Sequence, residues 1–537
     1  MAGVGLGLLA ASGLGAPGQA SAPAGVFRYS LDTDIDYVDP ALAYYTVSWE
    51  IEYATCALLL NYPDAPAPRG ARLVPEVAHG FPKVSGGGRV YTFTLKKTYR
   101  FSNGKRITAA NYAAAINRNL NPKMASPSQS FLDDIVGAKD VVEGRENEVA
   151  GVEILDAYRL RIRLEKRAPD FLARLAMPFL CPIPVKLPIN PDGVSAPVFG
   201  SGPYYVAAWE PKRSILLRRN RFYRGPRPHG VGQIVFDIGL SRAMIKLTID
   251  RGATDHGPVP PAAHAELGRL HGVRKSSPGR YFVNPVSSIR YLALNHDQPL
   301  FGGAGLGNVA LKQAVNFAID RKAMLEQHGS YAGVFNDQYL PPTMRGARNA
   351  AIYPTRPDLV RARALAQGHL RGGKARMWLC NVGPCVSVAL IVEANLREIG
   401  LDVALRPQPR RWCAVECDSR RERWMPYDIV MESWHLSYFD PYDFLFLVDG
   451  STIRPAGNTN LSYFNSPEFN RKIARAASLA GQARYRAFGS LDVELAKNAA
   501  PLATYMTDND RRYFSARIGG FFSHPVYGLD LAALRVS

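Results

Sequence analysis

Apolar and polar positions along the chain alternate with two different periods, and the alternation outlines a mixed α/β protein. Val90-Tyr-Thr-Phe-Thr-Leu95 follows a Gly86–Gly88 turn with period two, which predicts a half-buried strand. Val206 to Leu217, broken by a turn at Glu210–Arg213, predicts a hairpin. Asn308 precedes a stretch whose Leu311, Ala314, Val315, Ala318 and Ile319 share one helical face, so it is read as the cap of a helix. Met377–Leu379 reads as a short strand, and Ser387–Ile399 as a helix turning Val388, Ile391, Val392, Leu396 and Ile399 inward. Gly400 ends that helix, and Leu401, Val403 and Leu405 alternate as the next strand. Strand, helix and strand make a parallel β-α-β unit. Asp428-Ile-Val-Met431 is a further buried strand that runs into Trp434. Ligands of such sheets bind beyond the carboxyl ends of the strands, which directs attention to the loop Ser433–Phe444.

The length, 537 residues, exceeds what one hydrophobic core fills, so two or three lobes are expected. With 47% hydrophobic and 21% charged residues the chain has the composition of a folded globular protein. No stretch of the body reaches the roughly 20 apolar residues that cross a membrane. The formal charge of +19 raises the question of nucleic acid or an anionic wall polymer as partner. The 65 Lys and Arg are scattered, however. The densest patches, Arg410–Arg411 and Arg420–Arg421–Arg423, carry no base-reading motif, so no nucleic-acid partner is expected.

Val4–Leu14 is apolar and too short to span a bilayer, and Ala20-Ser21-Ala22 fits a signal-peptidase site. Residues 1–25 are therefore read as a signal-like segment, although no basic stretch precedes it and no Cys closes it. Six cysteines agree with export. Cys380 with Cys385, and Cys413 with Cys417, are read as two short-range disulfides, a zinc site of all four being the competing reading. Cys56 and Cys181 either pair across the fold or stay as buried thiols.

Catalytic signatures are sparse. No nucleophile elbow, zinc-protease helix, phosphate loop or dinucleotide fingerprint is present, and the ten histidines form no i,i+4 helical pair. No enzyme activity, cofactor or metal is expected. The alternatives kept are a secreted hydrolase using Asp440 and Asp443 as acid and base, and a scaffold that binds cell wall through its basic surface.

Five motifs in order give a resemblance. Gly202-Pro203-Tyr204 with Leu217-Arg-Arg-Asn-Arg-Phe-Tyr223-Arg-Gly225 is one, and Tyr91–Leu95 with Phe101-Ser-Asn-Gly-Lys-Arg-Ile-Thr-Ala109 another. Tyr291–Asn295 with Lys312–Arg321, then Asp39-Pro40, and Trp434 with Asp440-Pro441 complete the set. Together they resemble the extracellular solute-binding proteins of family 5, the oligopeptide/dipeptide type. The resemblance implies a type II periplasmic-binding fold, with two large lobes and a small extra domain hinged to close over a solute. It implies an exported monomer, at the outer face of the membrane or in the periplasm, that delivers its cargo to the permease subunits of an ABC importer. Peptide is the expected cargo, although relatives also carry nickel chelates, oligosaccharides and opines. The division implied is 26–55, 200–288 and 506–537 for the first lobe, 56–199 for the extra domain and 289–505 for the second lobe. Pro-rich passages at Pro178–Pro203 and Pro278–Ser288 suit the crossings.

By the same resemblance Tyr44, Tyr45 and Thr46 contribute from the turn after Asp39-Pro40, Trp434 and Tyr438 form an aromatic wall, and Ser128 reaches the cleft from the extra domain. Peptide-binding relatives place an Asp three residues after the Trp, where it pairs with the ligand's amino terminus. This chain has Ser437 there. Either Asp440 takes over, or the cargo lacks a free amino group; the second is the expectation, because an Asp before Pro is commonly fixed in a turn.

Overall fold

The computed structural model describes residues 25–381, 383–408, 427–454 and 458–537. Residues 1–24 and the basic patches at 410–411 and 420–423 lie outside the described residues. Three sheets carry the architecture. The first has the spatial order Val26–Leu31, Gln233–Ile238, Ser214–Arg219, Tyr204–Glu210. Its first pair is parallel, and the hairpin is antiparallel. Phe27, Leu31, Ile215, Leu217, Ile234 and Phe236 alternate onto one face, as period two requires, and share a core with Phe514, Leu529, Leu531 and Leu534 from the end of the chain.

The second sheet is antiparallel, in the order Lys83–Ser85, Val90–Thr94, Arg159–Arg163, Val152–Asp156. Phe93, Leu160 and Ile162 face Ile116 of the helix Ala109–Leu120. That helix starts with a capping box: Asn111 Oδ1 accepts the Thr108 N–H at 2.8 Å.

The third sheet is the largest, with seven strands. Its order is Tyr281–Pro285, Leu502–Tyr513, Ser288–Leu294, Ile429–His435, Lys374–Cys380, Asp402–Gln408, with Gly333–Phe335 paired onto Leu502–Tyr513. Lys374–Cys380 runs parallel to Asp402–Gln408. The intervening helix Pro384–Arg397 packs Val388, Val392 and Leu396 against the sheet, while Ile391 is half-buried. Gly400 has φ +88°, a conformation that costs an L side chain, and so turns the chain from helix to strand. Asn308 caps the helix Val309–Ala318 by accepting the Leu311 N–H, and its five predicted apolar residues are fully buried. The 12-residue strand Leu502–Tyr513 joins two regions: its first half pairs with Ser288–Leu294 and its second with Tyr281–Pro285.

Two disulfides are formed among the described residues. Cys380 is joined to Cys385, as the short spacing predicts, and Cys56 to Cys181 across 125 residues of sequence. The long bridge closes the region that contains the antiparallel sheet. The other expected short-range disulfide, Cys413 to Cys417, is not one of these two, because Cys413 and Cys417 both lie outside the described residues.

Candidate functional site

The third sheet ends at the predicted loop. Strand Ile429–His435 is parallel to Lys374–Cys380, and Trp434 lies at its carboxyl end, opposite Ile289. From there Trp434 reaches across to the turn that follows Asp39-Pro40. Its ring meets Tyr44 edge-on at 6.1 Å between centroids, and Phe446 at 5.2 Å. Tyr44 in turn packs on Trp49 and Phe179, and Phe131 links Phe179, Tyr438 and Phe446. Rings from residues 44–49, 131–179 and 434–446 thus form one cluster, and Trp434 is only 9% exposed.

Buried carboxylates fix the segments that supply these rings. Asp36 Oδ2 accepts the backbone N–H groups of Tyr44 and Tyr45, at 2.6 and 2.9 Å, and Asp36 Oδ1 accepts the Ser48 hydroxyl. Asp39 is bidentate with Arg118 of the helix Ala109–Leu120, at 2.7 and 2.6 Å, and caps the Ala41 N–H. The turn is therefore held both to itself and to the region behind the second sheet. This is the physical content of the Asp39-Pro40 signal.

In the loop, Asp440 accepts from Arg484 through both oxygens, at 2.8–3.2 Å, and from the Tyr442 N–H at 2.9 Å. Tyr438 donates its hydroxyl to Asp170 at 3.1 Å, and Asp170 also lies 3.4 Å from Arg174 and 3.7 Å from Arg484. Asp443 is fully buried. Its Oδ2 accepts the Ser437 N–H at 2.7 Å and the Trp434 indole N–H at 3.4 Å. Burial pushes the Asp443 carboxyl well above the usual carboxylate range. Burial likewise raises Asp440, opposed by the charge of Arg484, and it raises the Tyr44 hydroxyl, which stands beside Ser437 and Asp443.

The structure therefore brings Tyr44, Trp434, Ser437, Tyr438 and Asp440 to one place. Tyr45 precedes the helix Thr46–Thr55, whose first residue, Thr46, is exposed. Ser128 is buried, and its hydroxyl bonds to Asn119 and Ser126; three residues on, Phe131 supplies the ring that reaches Tyr438. The acid–base pairing of Asp440 with Asp443 has no support in this geometry, because Arg484 occupies the first and the loop's own N–H groups occupy one oxygen of the second. Sequence reading missed Asp36, Arg118, Asp170 and Arg484. Only Asp36, four residues before a Pro, left a local trace. A separate cavity of about 550 Å³ lies behind the loop, lined by Tyr62, Asp64, Glu76, Arg227 and Phe522 among others.

Comparison with known proteins identifies the family and the fold. A family model described as bacterial extracellular solute-binding proteins, family 5 Middle, matches residues 72–455. The probable deoxycholate-binding periplasmic protein YgiS of Escherichia coli K12 is 23% identical over 536 residues, covering 94% of this chain and 92% of that protein. The periplasmic oligopeptide-binding protein OppA of Salmonella typhimurium LT2 is 22% identical over 453 residues, 81% of this chain and 79% of its own. Among solved structures, the clavulanic acid biosynthesis oligopeptide binding protein 2 superposes with a TM-score of 0.83 at 23% identity, covering 97% of this chain and 96% of that one. The fold is that of the type II periplasmic binding proteins, and the chain belongs to the bacterial extracellular solute-binding proteins of family 5.

Proposed function

We propose that this protein captures a small solute, a peptide in first place, in the cleft lined by Tyr44, Trp434, Ser437 and Tyr438, and passes it to the permease of an ABC importer. The observation that carries the reading is the ring cluster built from three distant segments. Such a cluster forms only when the parts close on each other, and stiff aromatic faces give contact area at low entropic cost. We assign 26–55, 200–288 and 506–537 to one lobe, 56–199 to the extra domain and 289–505 to the other lobe. The shared cores of Phe27 with Leu531 and of Phe93 with Ile116 support that division. Export of a monomer fits the signal-like residues 1–25, the two disulfides and the periplasmic names of the relatives. The role is binding without turnover.

Peptides, deoxycholate and oligosaccharides screened by thermal shift test the reading, with X-ray scattering to follow compaction. A solute at 100 times its Kd adds about 2.7 kcal/mol of stability and should shrink the molecule. A well-folded sample that responds to none of these compounds refutes solute capture.

A further inference from the structure

The cavity of about 550 Å³ stands apart from the ring cluster: none of Tyr44, Trp434, Ser437 and Tyr438 lines it. Three parts of the chain meet around it, the strand pair Leu60–Asn61 and Val74–Pro75, the turn 226–230 and the chain end 520–535. Pro63, Pro75, Pro226 and Pro228 stand in its wall, and their fixed φ angles make that wall stiff. Val74, Phe522 and Leu534 give it apolar surface. A preformed space of that size, largely apolar with a few placed polar groups, has the usual form of a small-molecule site.

The charges around it are unevenly placed. Asn61, Glu76 and Arg227 are buried and mark the inner end, whereas Arg69 and Arg535 are exposed and mark the rim. The inner charges are already matched. The Arg227 guanidinium donates to the Cys56 and Tyr53 carbonyls, lies 4.1 Å from the Tyr53 ring, and has Glu76 at 3.5 Å and Asp64 at 3.7 Å. Glu76 also accepts the Leu58 N–H and the Asn61 amide, at 2.9 and 2.7 Å, and burial pushes its carboxyl up. Both carboxyls of the lining, Asp64 and Glu76, thus face Arg227. Arg69 and Arg535 come from opposite ends of the sequence, and neither pairs with an acid among the described residues.

We propose that this cavity is a second binding site, for an amphipathic organic anion whose apolar body fills the interior and whose acidic group docks on Arg69 and Arg535 at the rim. Guanidinium groups fork onto a carboxylate more favourably than any neutral partner does, and two of them on one rim leave the anion little reason to stay in water. The apolar body is needed as well, because Val74, Phe522 and Leu534 gain nothing from a small, wholly polar anion. A cationic solute is disfavoured: it meets two unmatched arginines at the rim and, inside, two carboxyls that already serve Arg227. The site lies outside the cleft, so its occupation does not depend on Trp434.

The test is calorimetry at pH 7 with octanoate and with neutral octanol, on the wild type, on Arg69→Ala/Arg535→Ala and on Trp434→Ala. The wild type should bind the carboxylate about tenfold or more tightly than the alcohol. The double substitution removes two exposed side chains, so the fold should survive it, and the preference should vanish. Trp434→Ala should keep the preference. Hydrogen exchange of the wild type locates the ligand independently: octanoate should add protection within residues 60–76 and 518–536 and leave 433–444 unchanged. A preference that survives the double substitution, a preference lost in Trp434→Ala, or protection confined to 433–444 overturns the proposal. Equal binding of the two compounds by the wild type, or binding of neither, overturns it too. Each of these outcomes leaves solute capture in the cleft intact.

Discussion

The bridge between Cys56 and Cys181 should dominate the stability of the region it encloses. Its loop contains 125 residues, and a cross-link of that length removes about 5 kcal/mol of chain entropy from the unfolded ensemble at 25 °C, before any residual structure reduces the gain. Cys380–Cys385 spans five residues, for which the same relation gives about 2 kcal/mol. Both cysteines of the long bridge are buried, and Cys→Ala leaves small gaps that add roughly 1 kcal/mol each at most. The double substitution Cys56→Ala/Cys181→Ala should therefore act chiefly through the unfolded state. Hydrogen exchange read by mass spectrometry resolves where. Protection of Val90–Thr94 and Arg159–Arg163, the central strands of the enclosed sheet, should fall by roughly two to three orders of magnitude. Protection of Ser214–Arg219, in the first sheet, should fall far less, and Cys380→Ala/Cys385→Ala should leave the enclosed sheet unchanged. A loss below tenfold in the two central strands, with the bridge confirmed absent, would refute the reasoning. It would mean that the enclosed region retains its compactness without the link.

Two further outcomes are expected. Arg484→Met strands Asp440 as a buried carboxylate, while Asp170 keeps Arg174 and Tyr438, so urea unfolding should show a loss of about 3–5 kcal/mol, much of it recovered by the double substitution Arg484→Met/Asp440→Leu. Lys312 is fully buried, donates to the Leu306 carbonyl at 2.7 Å, and has its pKa pulled down to about 7 by burial. Its unfolded value is 10.5, so between pH 7 and 10.5 the unfolded chain holds the extra proton and stability rises with pH. The gain is about 3 kcal/mol by pH 9.5, before the tyrosines whose folded pKa is raised begin to oppose it. Lys312→Met should flatten that rise, and an unchanged slope would discount the buried lysine.

The fold was legible where one period ran long enough to name a face. Val90–Thr94, the hairpin around Glu210–Arg213, the Asn308 cap and the unit Lys374–Gln408 all follow from apolar spacing, because spacing encodes which side of an element meets a core. It does not encode which core. That Leu531 packs with Phe27, or that one strand serves two regions, depends on contacts across almost the whole chain. The site divides in the same way. The loop after Ile429–His435 was legible from sheet geometry and Trp434 from resemblance, but the roles of Asp440 and Asp443 were not. They lie three residues apart with similar surroundings in sequence, and what separates them is Arg484, 44 positions away, which neutralises one and leaves the other.

The placement of the charges also bears on the proposed opening of the cleft. Arg484 keeps Asp440, from its own part of the chain, as its closest acid, and Arg174 keeps Asp134 and Asp170 from its own. Across the boundary run the Tyr438–Asp170 hydrogen bond, the 3.7 Å approach of Arg484 to Asp170 and the partly exposed pair Arg454–Asp133. Parting the two regions would therefore leave Arg484 and Arg174 each with an acid, so the large penalty for an orphaned buried charge is avoided at these two residues. What opening does cost is the burial of the rings of Phe131, Tyr438 and Phe446, a non-directional term that water partly offsets at the Tyr438 hydroxyl. Asp39–Arg118 meanwhile ties the 36–46 turn to the helix Ala109–Leu120. On the proposed lobe division, an interface built this way would have a modest gap between open and closed forms. A solute then needs only a few kcal/mol of preferential contact with the closed form to shift the population.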